Sequence, residues 1–165
     1  MAQPKKIFIV TGAIKTGKTS SLKNWLTTTV NIYGIVTPII NGKRCFMNAN
    51  TNETFAMEAA TEAIEDYLPI GKFIFSKKGF KQAIHIIDTA LNMQQQWLLI
   101  DEIGPLELNG FGFATILKKA LHANGIHLIL VVRTHLLQEV LNTFAINKNL
   151  VTYLNSESNF FKEIV

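Results

Sequence analysis

At 165 residues with 48% apolar side chains, the chain is long enough for one well-cored domain and too short for two of ordinary size, so residues 1–165 are expected to form a single domain. A lone cysteine, Cys45, excludes an internal disulfide framework and a cysteine-clustered zinc site, and no apolar run approaches the roughly 20 residues of a membrane span. The net charge of +4 and pI near 9.2 come from scattered lysines rather than a basic stripe, and no signal-like segment opens the chain. The expectation is a soluble cytoplasmic protein with neither nucleic acid nor membrane as its partner.

The first element is the apolar run Ile7-Phe-Ile-Val10, a strand that leads directly into Gly12-Ala13-Ile14-Lys15-Thr16-Gly17-Lys18-Thr19-Ser20. The spacing Gly-x-x-x-x-Gly-Lys-Thr is that of a phosphate-binding loop. Such a loop must curl so that successive backbone N–H groups face anionic oxygens, and side chains at its tight points would crowd the cradle. Residues 12–20 are therefore the candidate nucleotide-binding segment. Lys18 would reach the β- and γ-phosphates and Thr19 would offer a hydroxyl to Mg²⁺. Lys15 fits either a phosphate contact or a solvated loop lysine.

Leu22, Trp25 and Leu26 give residues 18–28 a helical stripe, ended by the β-branched run Thr27 to Val30. Two β-prone segments, 31–40 and 43–47, flank Asn41-Gly42, a type I′ hairpin signal, and Lys43-Arg44 reads as a solvated pair beside the turn. Residues 57–67 carry only helix propensity. Further on, residues 72–75 read as a strand and 79–93 as a helix with Phe80, Ala83, Ile84, Ile87 and Leu91 on one face. Strands at 97–100, 127–132 and 150–154 alternate with helices at 111–123 and 136–144. Strands apolar on both faces and separated by helices predict an α/β fold, a mostly parallel sheet covered on both sides.

The strand at 97–100 ends in Asp101-Glu102, the form of a Walker B segment. Carboxyl ends of parallel strands line the ligand crevice, which brings both acids beside the loop. Asp101 is then a metal-site candidate with Thr19, and Glu102 a candidate base for water. Arg133 also follows an apolar strand; it fits a cation for the γ-phosphate, as an arginine finger supplied in cis, and equally a structural pair with Asp101 or Glu139. Glu107 reads as a loop acid, and the four histidines show no metal-ligand spacing.

The run Asp101-Glu-Ile-Gly-Pro-Leu-Glu-Leu108 resembles the Walker B signature of the small P-loop nucleoside-triphosphatases known from thermophiles and, in animals, as cancer-related nucleoside-triphosphatase. In the same order, Thr11-Gly12 to Thr19 resembles that family's Walker A, and Gly34-Ile-Val-Thr-Pro with Gly42-Lys-Arg resembles its threonine-bearing strand and basic hairpin. Val131-Val-Arg133-x-x-Leu-Leu resembles a stretch of its bacterial members. The resemblance spans most of residues 6–145, and the Asp-Glu-Ile-Gly run is its more specific part. Three positions depart from it: Lys15 where glycine is frequent, Ser20-Ser21 where two threonines are common, and Pro38 where an acid often follows the threonine.

The resemblance implies a RecA-like core with an inserted β-hairpin, Mg²⁺ as cofactor, and hydrolysis of ATP, GTP and other nucleoside triphosphates with loose base preference. In that reading Glu102 is the base, with Lys18 and Arg133 as catalytic cations. Two alternatives share the loop. A nucleoside or nucleotide kinase would need an acceptor clamp, for which two arginines in the chain are few. A nucleotide-binding adaptor would use the same site with incidental hydrolysis.

Overall fold

The computed structural model describes residues 4–12, 17–59, 67–70 and 73–155. In chain order the elements are β1 (Ile7–Gly12), α1 (Lys18–Leu26), β2 (Ile32–Val36), β3 (Ile39–Ile40), β4 (Lys43–Asn48), β5 (Thr54–Ala56), β6 (Tyr67–Ile70) and β7 (Phe73–Ser76). There follow α2 (Lys77–Asn92), β8 (Trp97–Ile103), α3 (Pro105–Leu108), α4 (Ala114–His122), β9 (His127–Arg133), α5 (Leu137–Thr143) and β10 (Val151–Asn155). The main sheet runs β10-β1-β9-β8-β2-β4-β3, with β5 on the side of β4. Its pairs from β10 to β2 are parallel, and β4 turns back antiparallel to β2.

Side-chain alternation along the strands divides the apolar residues into two cores. Ile7 and Ile9 of β1, Leu98 and Ile100 of β8, and Leu128 and Leu130 of β9 join the buried faces of α2, α4 and α5. Phe8 and Val10, Leu99, and Ile129 and Val131 face the other way, onto Leu22, Trp25 and Leu26 of α1. Helices thus cover both faces, as the doubly apolar strands require. Helix α1 stops at Leu26 because the Thr27 and Thr28 hydroxyls donate to the carbonyls of Asn24 and Trp25, at 2.6 and 3.0 Å. Helix α2 starts two residues before the expected Gly79, since the Ser76 hydroxyl accepts the Gly79 N–H at 3.0 Å and caps it.

The Asn41-Gly42 turn is as expected, with φ of 50° and 76° joining β3 to β4. Strand β2 precedes this hairpin and is a member of the parallel sheet, hydrogen-bonded to β8. The helix expected at 57–67 is not formed at either described end. Met57 and Ala59 pair with β7 through Ser76 N to Met57 O at 2.8 Å and Ala59 N to Ile74 O at 2.9 Å, and Tyr67 opens β6. Strand pairing overrides a weak helical preference there; residues 60–66 lie outside the described residues.

Two close packings fix the strand that carries the acids. Gly34, at φ 114°, lies so near β8 that a Cβ would overlap the Leu99 carbonyl. Beyond β8, Gly104-Pro105 opens the short α3, with proline at its first position. Glu107 is buried within it, its Oε2 accepting the Gly104 N–H at 2.9 Å and its Oε1 the Phe113 N–H at 3.1 Å. It is therefore an internal brace between two loops rather than a solvated loop acid. Burial pushes its carboxyl up to about 7 against these two donors.

Gly34→Ala is expected to cost about 2–4 kcal/mol in urea unfolding, because backbone rather than a mobile side chain occupies the space. The folded protein holds the Glu107 proton more tightly than the unfolded chain does, so its contribution is complete below pH 4.5 and is lost as pH rises through about 7. Measured across that window, wild-type stability relative to Glu107→Gln falls with rising pH.

Candidate nucleotide-binding site

Helix α1 opens at the carboxyl end of β1. Gly17 takes the left-handed conformation, φ 79°, that turns the chain into the helix, and Lys18 occupies the first helical position. The Lys18 side chain is buried and reaches back to the end of β1, its Nζ donating to the Gly12 carbonyl at 3.1 Å. Burial lowers its pKa, while Glu102 and Asp101 pull it back up. The amino end of α1 adds a partial positive charge beside this lysine. Ser20 is exposed on the first turn, and Ala13, Ile14, Lys15 and Thr16 lie outside the described residues.

Asp101 is completely buried where β8 ends. One of its oxygens, Oδ2, accepts both the Thr19 hydroxyl at 2.9 Å and the Thr37 backbone N–H at 3.1 Å. The other, Oδ1, has no hydrogen-bond partner among the described residues. Desolvation raises the carboxyl to about 6, opposed by the Thr37 and Thr19 donors and reinforced by Glu102. A buried carboxylate oxygen without a donor, next to a threonine hydroxyl, is a hard-oxygen set suited to Mg²⁺.

Glu102 turns instead toward Arg133, whose Nη2 donates to Oε1 at 2.6 Å. The partner of Arg133 is thus neither Asp101 nor Glu139. Strand β9 lies directly between β1 and β8, so its last residue stands opposite Gly12 on one side, while on the other Val132 pairs with Ile103 past an irregularity in β8 that spans the two acids. Both side chains are 23% exposed, and the ion pair faces a cavity of about 550 Å³.

That cavity brings together Gly17, Lys18, Thr19, Ser20, Glu102 and Arg133 from the expected set. The rest of its lining is new: Thr37, Pro38, Ile39 and Arg44 from the hairpin, and Lys23 and Asn24 from α1. Arg44 therefore borders the site instead of forming a solvated pair with Lys43, because β2 delivers the hairpin next to β8. The clue in the sequence was the position of Thr37-Pro38 at the carboxyl end of a parallel strand. Among the described residues, no three His, Cys, Asp or Glu side chains gather as metal ligands, and no helix is long and apolar enough to cross a membrane.

Two solved structures share this architecture. THEP1 from the hyperthermophile Aquifex aeolicus superposes with a TM-score of 0.73 at 16% identity, covering 96% of each chain. A human cancer-related nucleoside triphosphatase gives a TM-score of 0.69 at 17% identity, covering 98% of this chain and 95% of that one. Curated protein sequences give no significant match. The profile of the family described as NTPase aligns with residues 7–164, nearly the whole length, and the chain belongs to that NTPase family.

Proposed function

We propose that the chain hydrolyses nucleoside 5′-triphosphates to diphosphate and inorganic phosphate, with Mg²⁺ as cofactor and broad base preference. The observation that carries this is the convergence of Lys18, Thr19, Glu102 and Arg133 on one cavity above the buried Asp101. The human neighbour is named for nucleoside triphosphates as a class, which supports a loose choice of base.

Each residue then has a distinct task. Lys18 and the amino end of α1 bind the β- and γ-phosphate oxygens. Thr19 and Asp101 would hold Mg²⁺, which supplies charge neutralisation along the phosphates when bound. Glu102 takes a proton from the water that attacks the γ-phosphorus, while the bond from that phosphorus to the β–γ bridging oxygen breaks. Arg133 starts on Glu102. As the γ-phosphoryl group enters, the guanidinium exchanges one anionic partner for another and leaves the carboxylate available to water.

Phosphate release measured over ATP, GTP, CTP and UTP should depend on added Mg²⁺ and vary modestly with the base. Glu102→Gln should lower kcat by about 10²–10⁴-fold while nucleotide still binds. Lys18→Ala should lower kcat/KM by at least about 10²-fold. Tight binding without turnover in the wild type would replace hydrolysis with the adaptor reading. Since a cation and a proton compete for the Asp101 carboxyl, phosphate release at limiting Mg²⁺ should fall as pH drops through about 6, and added Mg²⁺ should restore it.

A further inference from the structure

The chain has two arginines, and both border the same cavity, from different strands. Arg133 reaches it from the end of β9 and is matched by Glu102 at 2.6 Å. Arg44 reaches it from β4, in the hairpin that follows β2. The sheet fixes which end of a bound nucleotide each wall meets. Neighbouring strands are about 4.8 Å apart, so the acids on β8 stand two strands, about 10 Å, from the β1 end that starts the phosphate loop. Strand β2 lies one spacing farther in the same direction.

A phosphate chain running from the loop toward Asp101 and Glu102 therefore points its terminal group at the β2 side. The hairpin is also held in place. Thr37 N–H is bonded to Asp101 Oδ2 at 3.1 Å, Cys45 N–H to the Pro38 carbonyl at 2.9 Å, and Arg44 N–H to Glu58 Oε1 at 3.0 Å. Arg44 is half-buried and pairs across the ribbon with Ile39, which also lines the cavity.

We infer that Arg44 clamps the γ-phosphate and is the residue by which the site distinguishes a nucleoside triphosphate from a diphosphate. This rests on the triphosphate reading of the cavity and adds a discriminating residue to it. A diphosphate bound by the same loop ends before the hairpin wall, so it makes no use of Arg44. Planar guanidinium donors suit a terminal phosphate with three free oxygens, which a lysine ammonium matches less well.

The test is equilibrium binding, with Mg²⁺ present, of a non-hydrolysable ATP analogue and of ADP to wild type, Arg44→Ala, Arg44→Lys and Lys43→Ala. Arg44→Ala should weaken the analogue about 10- to 100-fold and ADP less than about 3-fold. Arg44→Lys should recover part of the loss, and Lys43→Ala, outside the cavity, should match wild type. The ratio of the two affinities is read within one preparation, so Arg44→Lys and Arg44→Gln carry the comparison if the alanine variant does not fold. An unchanged ratio in the Arg44 variants, beside a wild type that prefers the triphosphate and releases phosphate, overturns this inference alone. A wild type that binds neither nucleotide overturns the triphosphate reading as well.

Discussion

The site is organised around one buried carboxylate. Asp101 Oδ2 receives the hydroxyl of Thr19 from α1 and the backbone N–H of Thr37 from the start of the hairpin, so three separate parts of the chain meet at a single oxygen. An ionised carboxyl that is fully removed from water is costly unless donors or a cation compensate it. Two donors answer Oδ2, whereas Oδ1 has none among the described residues, which leaves the compensation incomplete in the absence of a cation. The same carboxyl group that would hold a metal through one oxygen therefore fixes, through the other, the distance between α1 and the hairpin.

This junction depends on a scaffold that leaves the strand ends nothing else to do. The apolar runs of β1, β8 and β9 supply both cores by alternation, which commits their lengths to burial and brings polar residues to the carboxyl edge together. Because β9 is inserted between β1 and β8, a cation at its end stands midway between loop and acids. Arg133 meets Glu102 there by topology, without any sequence proximity. The pair also lowers the cost of keeping both charges half out of water before a ligand binds.

Much of this was legible in the sequence because it is local chemistry. Strand periodicity, the entry into α1 at Gly17-Lys18, the Asp101-Glu102 ending and the Asn41-Gly42 turn each state their structure within a few residues. What was missed is non-local. Arg44 looked solvated because nothing near it in sequence reveals that β2 pairs with β8. Glu107 looked like a loop acid because its partners, Gly104 and Phe113, form a cage only after the chain has folded back. The partner of Arg133 was open for the same reason, and strand order decided it. Residues 57–59 were misjudged because pairing with β7 outweighs a slight propensity.

The contact between Gly34 and Leu99 works as a register gauge. It locks β2 against β8 two residues before the first acid and three residues before Thr37, so both ends of the Asp101–Thr37 hydrogen bond are counted from one fixed point. A slip of β8 by a single residue would present Glu102 where Asp101 now stands and carry the longer acid to the Thr19 and Thr37 donors that now hold the shorter one. The division of labour between two adjacent carboxylates is thus set by a glycine that touches neither of them.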